Sequence, residues 1–137
     1  MIALLNKDIV QCRACPRLVK FREAVARKKR KQFEAWDYWG KPVPGYGEPE
    51  ASLLLTGLAP AAHGGNRTGR VFTGDKSADF LVRCLHDVGI ANQPNSDSLD
   101  DGLELINAYM TPVLKCVPPG DKPKPDELKQ CAHYLSA

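Results

Sequence analysis

Leu53-Leu54-Leu55 is a continuous apolar run that Gly57 and Pro60 close abruptly, and it constrains the fold more than any other stretch. A strand with one wet face alternates apolar and polar residues. An unbroken run ended by turn residues instead suits a strand buried on both faces, as in a parallel sheet covered by helices. A glycine-rich loop from Ala61 to Gly74 follows. Beyond it Phe80, Leu81, Cys84, Leu85 and Val88 recur at helical spacing, with Ser77 able to cap the helix and Gly89 placed to end it. Together these make a βα unit. Leu105 to Val113 reads as a second strand, and Pro125-Asp126-Glu127 opens a short helix with Leu128, Cys131 and Leu135 facing one way. Upstream, Leu18, Phe21 and Val25 mark an amphipathic helix whose basic residues lie largely on the other face. Between them, Gln32 to Glu50 mixes Trp36, Tyr38, Trp39 and Tyr46 with six glycines and prolines, a structured loop.

The pattern predicts an α/β fold, with helices on a central parallel sheet. The 137 residues, 43% hydrophobic and 26% charged, suit one domain spanning 1–137. Two strands bury little apolar surface for such a sheet, so a third strand is expected beyond Ala137 and the domain is expected to be incomplete at its C-terminus. No apolar run approaches the roughly 20 residues that span a bilayer, and Met1 to Val10 is too short and too lightly basic for a secretory signal. The expectation is a cytoplasmic protein, with no membrane contact and no obligate protein partner.

Five cysteines, an odd number without a secretion signal, disfavour a disulfide framework. Cys12 and Cys15 form a C-x2-C pair, and Cys116 and Cys131 lie far downstream. Two thiol pairs on separate elements can close one tetrahedral site that suits either Zn2+ or a 4Fe–4S cluster, and the long gap matches no common zinc ribbon. A redox dithiol at Cys12 and Cys15 would call for a thioredoxin-like context that is absent. Cys84, on the apolar side of its helix, is expected in the core.

The net charge is only +3, but Arg13, Arg17, Lys20, Arg22 and the run Arg27 to Lys31 face the single acid Glu23 in one stretch. Such a stretch is a candidate contact for a polyanion, or a solvated helix face. The loop Gly57 to Asp75 turns at the carboxyl end of a strand, where open α/β sheets place their ligands. It has neither the Lys-Ser/Thr of a phosphate-binding P-loop nor the G-x-G-x-x-G spacing of a dinucleotide fold. By chemistry alone, Asp75 with Arg67 or Arg70 fits a hydrolase or anion-binding loop, or ordinary surface turns.

Three blocks, in order, carry a resemblance: Tyr38-Trp39-Gly40-Lys41-Pro42-Val43-Pro44-Gly45-Tyr46-Gly47, the loop Gly57 to Asp75, and Lys115-Cys116-Val117-Pro118-Pro119-Gly120-Asp121-Lys122-Pro123. Together they resemble family 5 uracil-DNA glycosylases, and the apolar Leu58 distinguishes them from the sister family 4. The resemblance implies the uracil-DNA glycosylase type of α/β/α sandwich, of which this chain would hold the N-terminal part. It implies a structural 4Fe–4S cluster on Cys12, Cys15, Cys116 and Cys131, and DNA containing uracil or other deaminated bases as the substrate. By the same carry-over, Gly57, Leu58, Ala59, Pro60 and Ala61 shape the base pocket and hold the attacking water, with His63 beside them, and Phe72 stacks on the flipped base. Asp75 would stabilise the oxocarbenium-like transition state, and Lys28, Lys29, Arg30 and Arg67 would contact DNA.

Two departures are visible. Asp121 stands where the family has Asn, and an ionised carboxylate accepts hydrogen bonds but cannot donate to a base carbonyl. The family's later His-Pro-Ser motif falls beyond Ala137, so this chain alone is expected to be inactive. The alternative from another class is a non-catalytic iron–sulfur or zinc module that binds nucleic acid through its basic helix.

Overall fold

The computed structural model describes residues 2–136. Its elements are α1 (Ile2–Val10), α2 (Pro16–Lys28), β1 (Tyr46–Gly47), β2 (Leu53–Gly57), α3 (Gly65–Thr68), α4 (Lys76–Asp87), β3 (Ala108–Pro112) and α5 (Pro125–Ser136), with 3-10 turns at Lys31–Phe33 and Pro119–Asp121. The three strands lie in the order β1-β3-β2. β2 runs parallel to β3, with Leu53 opposite Ala108 and Gly57 opposite Pro112, and β1 pairs antiparallel on the far edge of β3. The fold is therefore α/β with a parallel pair, as the βα pattern predicts. The short antiparallel β1 comes from within the segment that reads as loop.

β3 occupies the centre of the sheet, and the burial follows from that. Ala108 and Met110 are fully enclosed among Val43, Val71, Val82, Leu85, Ala91, Leu103 and Leu105. A second cluster joins Leu18 and Leu114 to Cys116 and Cys131. The expectation that β2 is buried on both faces is not met. Leu53 and Leu54 are 40% and 55% exposed, because β2 is an edge strand among the described residues. The second strand is shorter than the sequence pattern suggests, and Leu105 instead forms an isolated bridge with Ala91.

Three helix readings need correction. Asp75, not Ser77, caps α4, its Oδ1 accepting the Ala78 N–H at 2.8 Å. α4 buries Ala78, Val82 and Leu85, a stripe rotated from the expected one, so Cys84 is exposed rather than in the core and Phe80 is 75% exposed. In α2 the buried residues are Leu18, Val19 and Arg22, so one of the bases expected to face solvent is inside the molecule. α1 has no counterpart among the sequence expectations, since its apolar residues are packed too densely for periodicity to stand out.

Candidate active-site cleft and thiol centre

The loop that follows β2 lines a cleft of about 510 Å³ whose walls include Ala61, His63, Asp75, Asp121 and Arg30. Ala61, His63 and Asp75 come from the segment between β2 and α4, Arg30 from the turn after α2 and Asp121 from the turn at Pro119–Asp121. Asp75 is fixed by its capping bond to α4, which engages Oδ1. Its Oδ2 lies close over Gly64, where an added Cβ would sit only 2.4 Å from it, and accepts no hydrogen bond among the described residues. Gly64 thus lets the free carboxylate oxygen approach the backbone closely.

On His63, Nδ1 is 2.7 Å from Tyr38 Oη, and the Arg30 N–H donates to that same oxygen at 3.2 Å. When the Tyr38 hydroxyl donates to Nδ1, the neutral ring carries its proton on Nε2. Burial, with Arg30 and Arg67 nearby, holds the imidazole below its ordinary pKa, so it is neutral at pH 7. Asp121 reaches the cleft from the turn after Pro119, with a left-handed φ of 57°.

Other residues named from sequence lie outside these walls. The Phe72 ring lies over Gly57 and packs against the main core, so it braces the floor of the loop. Leu58 is 56% exposed, and Ala59 packs against the second core cluster. Arg67 is buried. Its guanidinium carbon lies 3.8 Å from the Phe33 ring centre and 4.1 Å from that of Trp36, and its N–H groups donate to His63 O and Gly74 O. Arg67 therefore clamps the loop from inside instead of presenting a charge to a phosphate.

Several residues that position the cleft carry no motif signal. Arg70 is 2% exposed and donates to Thr73 Oγ1, Ser96 Oγ and both oxygens of Asp101. Ser96 O in turn accepts the Gly74 N–H at 2.8 Å, one residue before Asp75. Burial acts to raise the Asp101 carboxyl, but the amides of Asp97 and Leu103 and the Arg70 guanidinium outweigh it and hold it below its usual range.

Much of the basic stretch is internally engaged. Arg13 pairs with Glu23, Arg17 with Glu127, and Arg22 is buried. Lys29 donates to Trp36 O and is half-buried. Lys20, Arg27, Lys28, Arg30 and Lys31 remain at least partly exposed, and Arg30 is the one of these that also lines the cleft.

Cys12, Cys15, Cys116 and Cys131 line one cavity of about 20 Å³ with Leu18, Arg22, Lys115 and Tyr134. Cys12 and Cys15 sit in the turn between α1 and α2, Cys116 follows β3, and Cys131 is on α5. Among the described residues no three His, Cys, Asp or Glu side chains already stand in a metal-holding arrangement. The donor chemistry nonetheless fits a thiolate-bound centre. Arg22 Nη1 donates to Cys116 Sγ and the Lys115 N–H to Cys131 Sγ, each at 3.3 Å. Burial pushes the Cys116 thiol up to about 12 and also raises Cys15 and Cys131, so these thiols ionise only with a cation to neutralise them.

The profile of the uracil DNA glycosylase superfamily matches residues 44–137. The chain is 51% identical over 136 residues to a "Type-5 uracil-DNA glycosylase" of Mycobacterium tuberculosis, covering 99% of this chain and 51% of that protein. It is 52% identical over 128 residues to the Type-5 protein of Thermus thermophilus, covering 93% of this chain and 58% of the relative. A "Type-4 uracil-DNA glycosylase" of Sulfurisphaera tokodaii is 29% identical over 119 residues, covering 86% of this chain and 47% of the relative. The chain thus spans about half the length of the curated relatives it matches. With the family profile covering most of the chain, including the cleft loop, the chain belongs to the uracil DNA glycosylase superfamily.

Proposed function

We propose that the intact protein carrying this chain is a monofunctional uracil-DNA glycosylase, which hydrolyses the N-glycosidic bond of uracil, and of other deaminated bases, in DNA. The observation that carries this reading is the cleft at the carboxyl end of β2, where Asp75 keeps one carboxylate oxygen free opposite a neutral His63. Breaking the bond places positive charge on the sugar and negative charge on the departing base. Asp75 Oδ2 stabilises the sugar cation and accepts a hydrogen bond from the attacking water. His63 Nε2–H is a donor to an acceptor oxygen of the target nucleotide. Asp121 accepts the N3–H of uracil. Because the glycosidic carbon is unreachable inside a duplex, the nucleotide is flipped into the cleft, and the exposed bases of α2 and the turn after it hold the backbone. Phe72, packed over Gly57 behind the cleft walls, braces the loop that receives the flipped base instead of stacking on it. The test is incubation of the intact protein with uracil-containing single- and double-stranded oligonucleotides. Abasic product is expected, whereas DNA binding without base release would leave the nucleic-acid-binding module in its place.

The roles of Lys28 and Arg30 are tested by salt dependence. Replacing both with Ala should flatten the plot of log affinity against log salt by about 0.7–0.9 for each phosphate no longer neutralised, while the rate of the bound complex holds. An unchanged slope would place the DNA elsewhere.

Cys12, Cys15, Cys116 and Cys131 would hold a 4Fe–4S cluster, which when bound supplies a structural staple joining the α1–α2 turn, the end of β3 and α5. The four reduced thiols suit a reducing compartment, the cytoplasm. Among the described residues no helix is long and apolar enough to cross a membrane. Anaerobically purified protein should absorb broadly in the visible and contain iron. Cys116→Ala should abolish that absorbance and Cys84→Ala should leave it intact. Stoichiometric zinc without iron would overturn the cluster.

A further inference from the structure

Arg22 is a buried cation, 3% exposed, that forms no salt bridge among the described residues, its neighbour Glu23 being paired with Arg13 instead. Leaving a guanidinium in the interior without a counter-charge is costly enough that structures rarely do so. Its three nitrogens are nevertheless all directed at acceptors: Nη1 at Cys116 Sγ (3.3 Å), Nη2 at Cys12 O (3.4 Å) and Nε at Gly40 O (3.1 Å). Two of these acceptors belong to residues of the thiol centre, and one belongs to the loop that borders the cleft.

The connection to the cleft continues from there. The Gly40 N–H donates to Asn66 O at 2.9 Å and the Trp39 N–H to Arg67 O at 3.0 Å, while Asn66 Nδ2 donates back to the Arg22 carbonyl. Gly40 lies so close to α2 that an added Cβ would come within 2.8 Å of Ala26 Cβ. The segment that carries His63 and Arg67 is thus tied through Gly40 to the guanidinium that touches the Cys116 thiol and the Cys12 carbonyl.

We propose that Arg22 is a positioning residue that balances the negative charge of a metal-bound tetrathiolate centre and, through the same planar fork, locks the Gly40–Asn66 junction at the border of the substrate cleft. Four thiolates around either Zn2+ or an oxidised 4Fe–4S core leave a net negative charge, so Arg22 has the same role with either metal. This role rests on the thiolate–metal reading of the four cysteines. A lysine in this place would keep the charge, but as a point donor it cannot reach three acceptors lying in different directions. The charge and the fork therefore make separable contributions.

The experiment uses the intact protein, purified anaerobically, whose metal content is measured before any variant is made. A wild-type protein without metal overturns the thiolate centre itself, and that failure is distinct from any failure of Arg22. With metal present, Arg22→Met should release it to a chelator about 10–100-fold faster, the usual effect of removing a residue that supports metal ligands. Arg22→Lys should release it within about threefold of wild type, because the charge remains. In both variants the Trp39 and Gly40 amides should exchange with solvent about tenfold faster than in wild type. Should Arg22→Met fail to fold, Arg22→Lys decides alone. Wild-type exchange at Trp39 and Gly40 in Arg22→Lys would overturn the lock, and wild-type metal release by a folded Arg22→Met would overturn the charge balance.

Discussion

Asp75→Asn is expected to lower the single-turnover rate of base release by about 10²–10³, equivalent to roughly 2.7–4 kcal/mol of lost transition-state stabilisation, while DNA binding stays near wild type. The asparagine is chosen because of the second task Asp75 performs. Its Oδ1 caps α4 through the Ala78 N–H, and Asn caps a helix as well as Asp does. The substitution therefore keeps the loop and removes the negative charge. Asp75→Ala would confuse the two, since loss of the cap alone costs about 0.5–2 kcal/mol of stability. With Asn, a fall in the rate at saturating enzyme, with an unchanged melting temperature, isolates the electrostatic contribution of Oδ2. A near-normal rate under those conditions would remove Asp75 from the chemistry and leave it as a helix cap.

The largest effect on stability is expected at Asp101, far from any motif. Asp101→Ala leaves the Arg70 guanidinium, at 2% side-chain exposure, without its counter-charge, and strips the amides of Asp97 and Leu103 of their acceptor. Breaking a buried pair by deleting one partner typically costs about 3–5 kcal/mol, a large share of the roughly 5–15 kcal/mol that holds a domain together. Asp101→Asn keeps one of the two acceptor oxygens, leaving either the Asp97 or the Leu103 amide without its partner, and should cost about 1–3 kcal/mol. Urea unfolding at pH 7 measures both.

The pH dependence has a definite sign. The Asp101 carboxyl is held below its ordinary value in the folded protein, so its contribution is complete above the unfolded value of about 3.9 and disappears as the pH falls through the folded value. The gap between wild type and Asp101→Asn should therefore narrow below about pH 4. A gap that stayed constant through that range would mean the carboxylate is not what holds Arg70. Because Ser96, bonded to Arg70, also accepts the Gly74 N–H, loss of this pair should loosen the loop that presents Asp75.

The βα order, α4 and α5, the parallel partner of the Leu53 run and the family itself were legible from local pattern. Periodicity, turn residues and the three motif blocks depend only on near neighbours in the chain, and those carry over directly into a fold. Pattern failed where burial depends on what packs from elsewhere. Leu53 and Leu54 read as fully buried yet lie on an edge strand, and Cys84 belongs to an apolar arc of α4 that the sheet does not cover. A run of apolar residues reports that a segment can be buried, not which part of it will be.

The site divides along the same line. Sequence alone determined the chemistry on offer: four separated thiols, a carboxylate and an imidazole in the loop after a strand, and an excess of bases early in the chain. Only the tertiary structure decided which of these meet. It turned Arg67 inward between Phe33 and Trp36, drew Arg22 to Cys116 across 94 positions of sequence, and paired Arg70 with Asp101 across 31. The physical reason is that a side chain's charge is written in its residue type, whereas its partner is set by long-range packing, where burying a cation is tolerable only beside the group that compensates it.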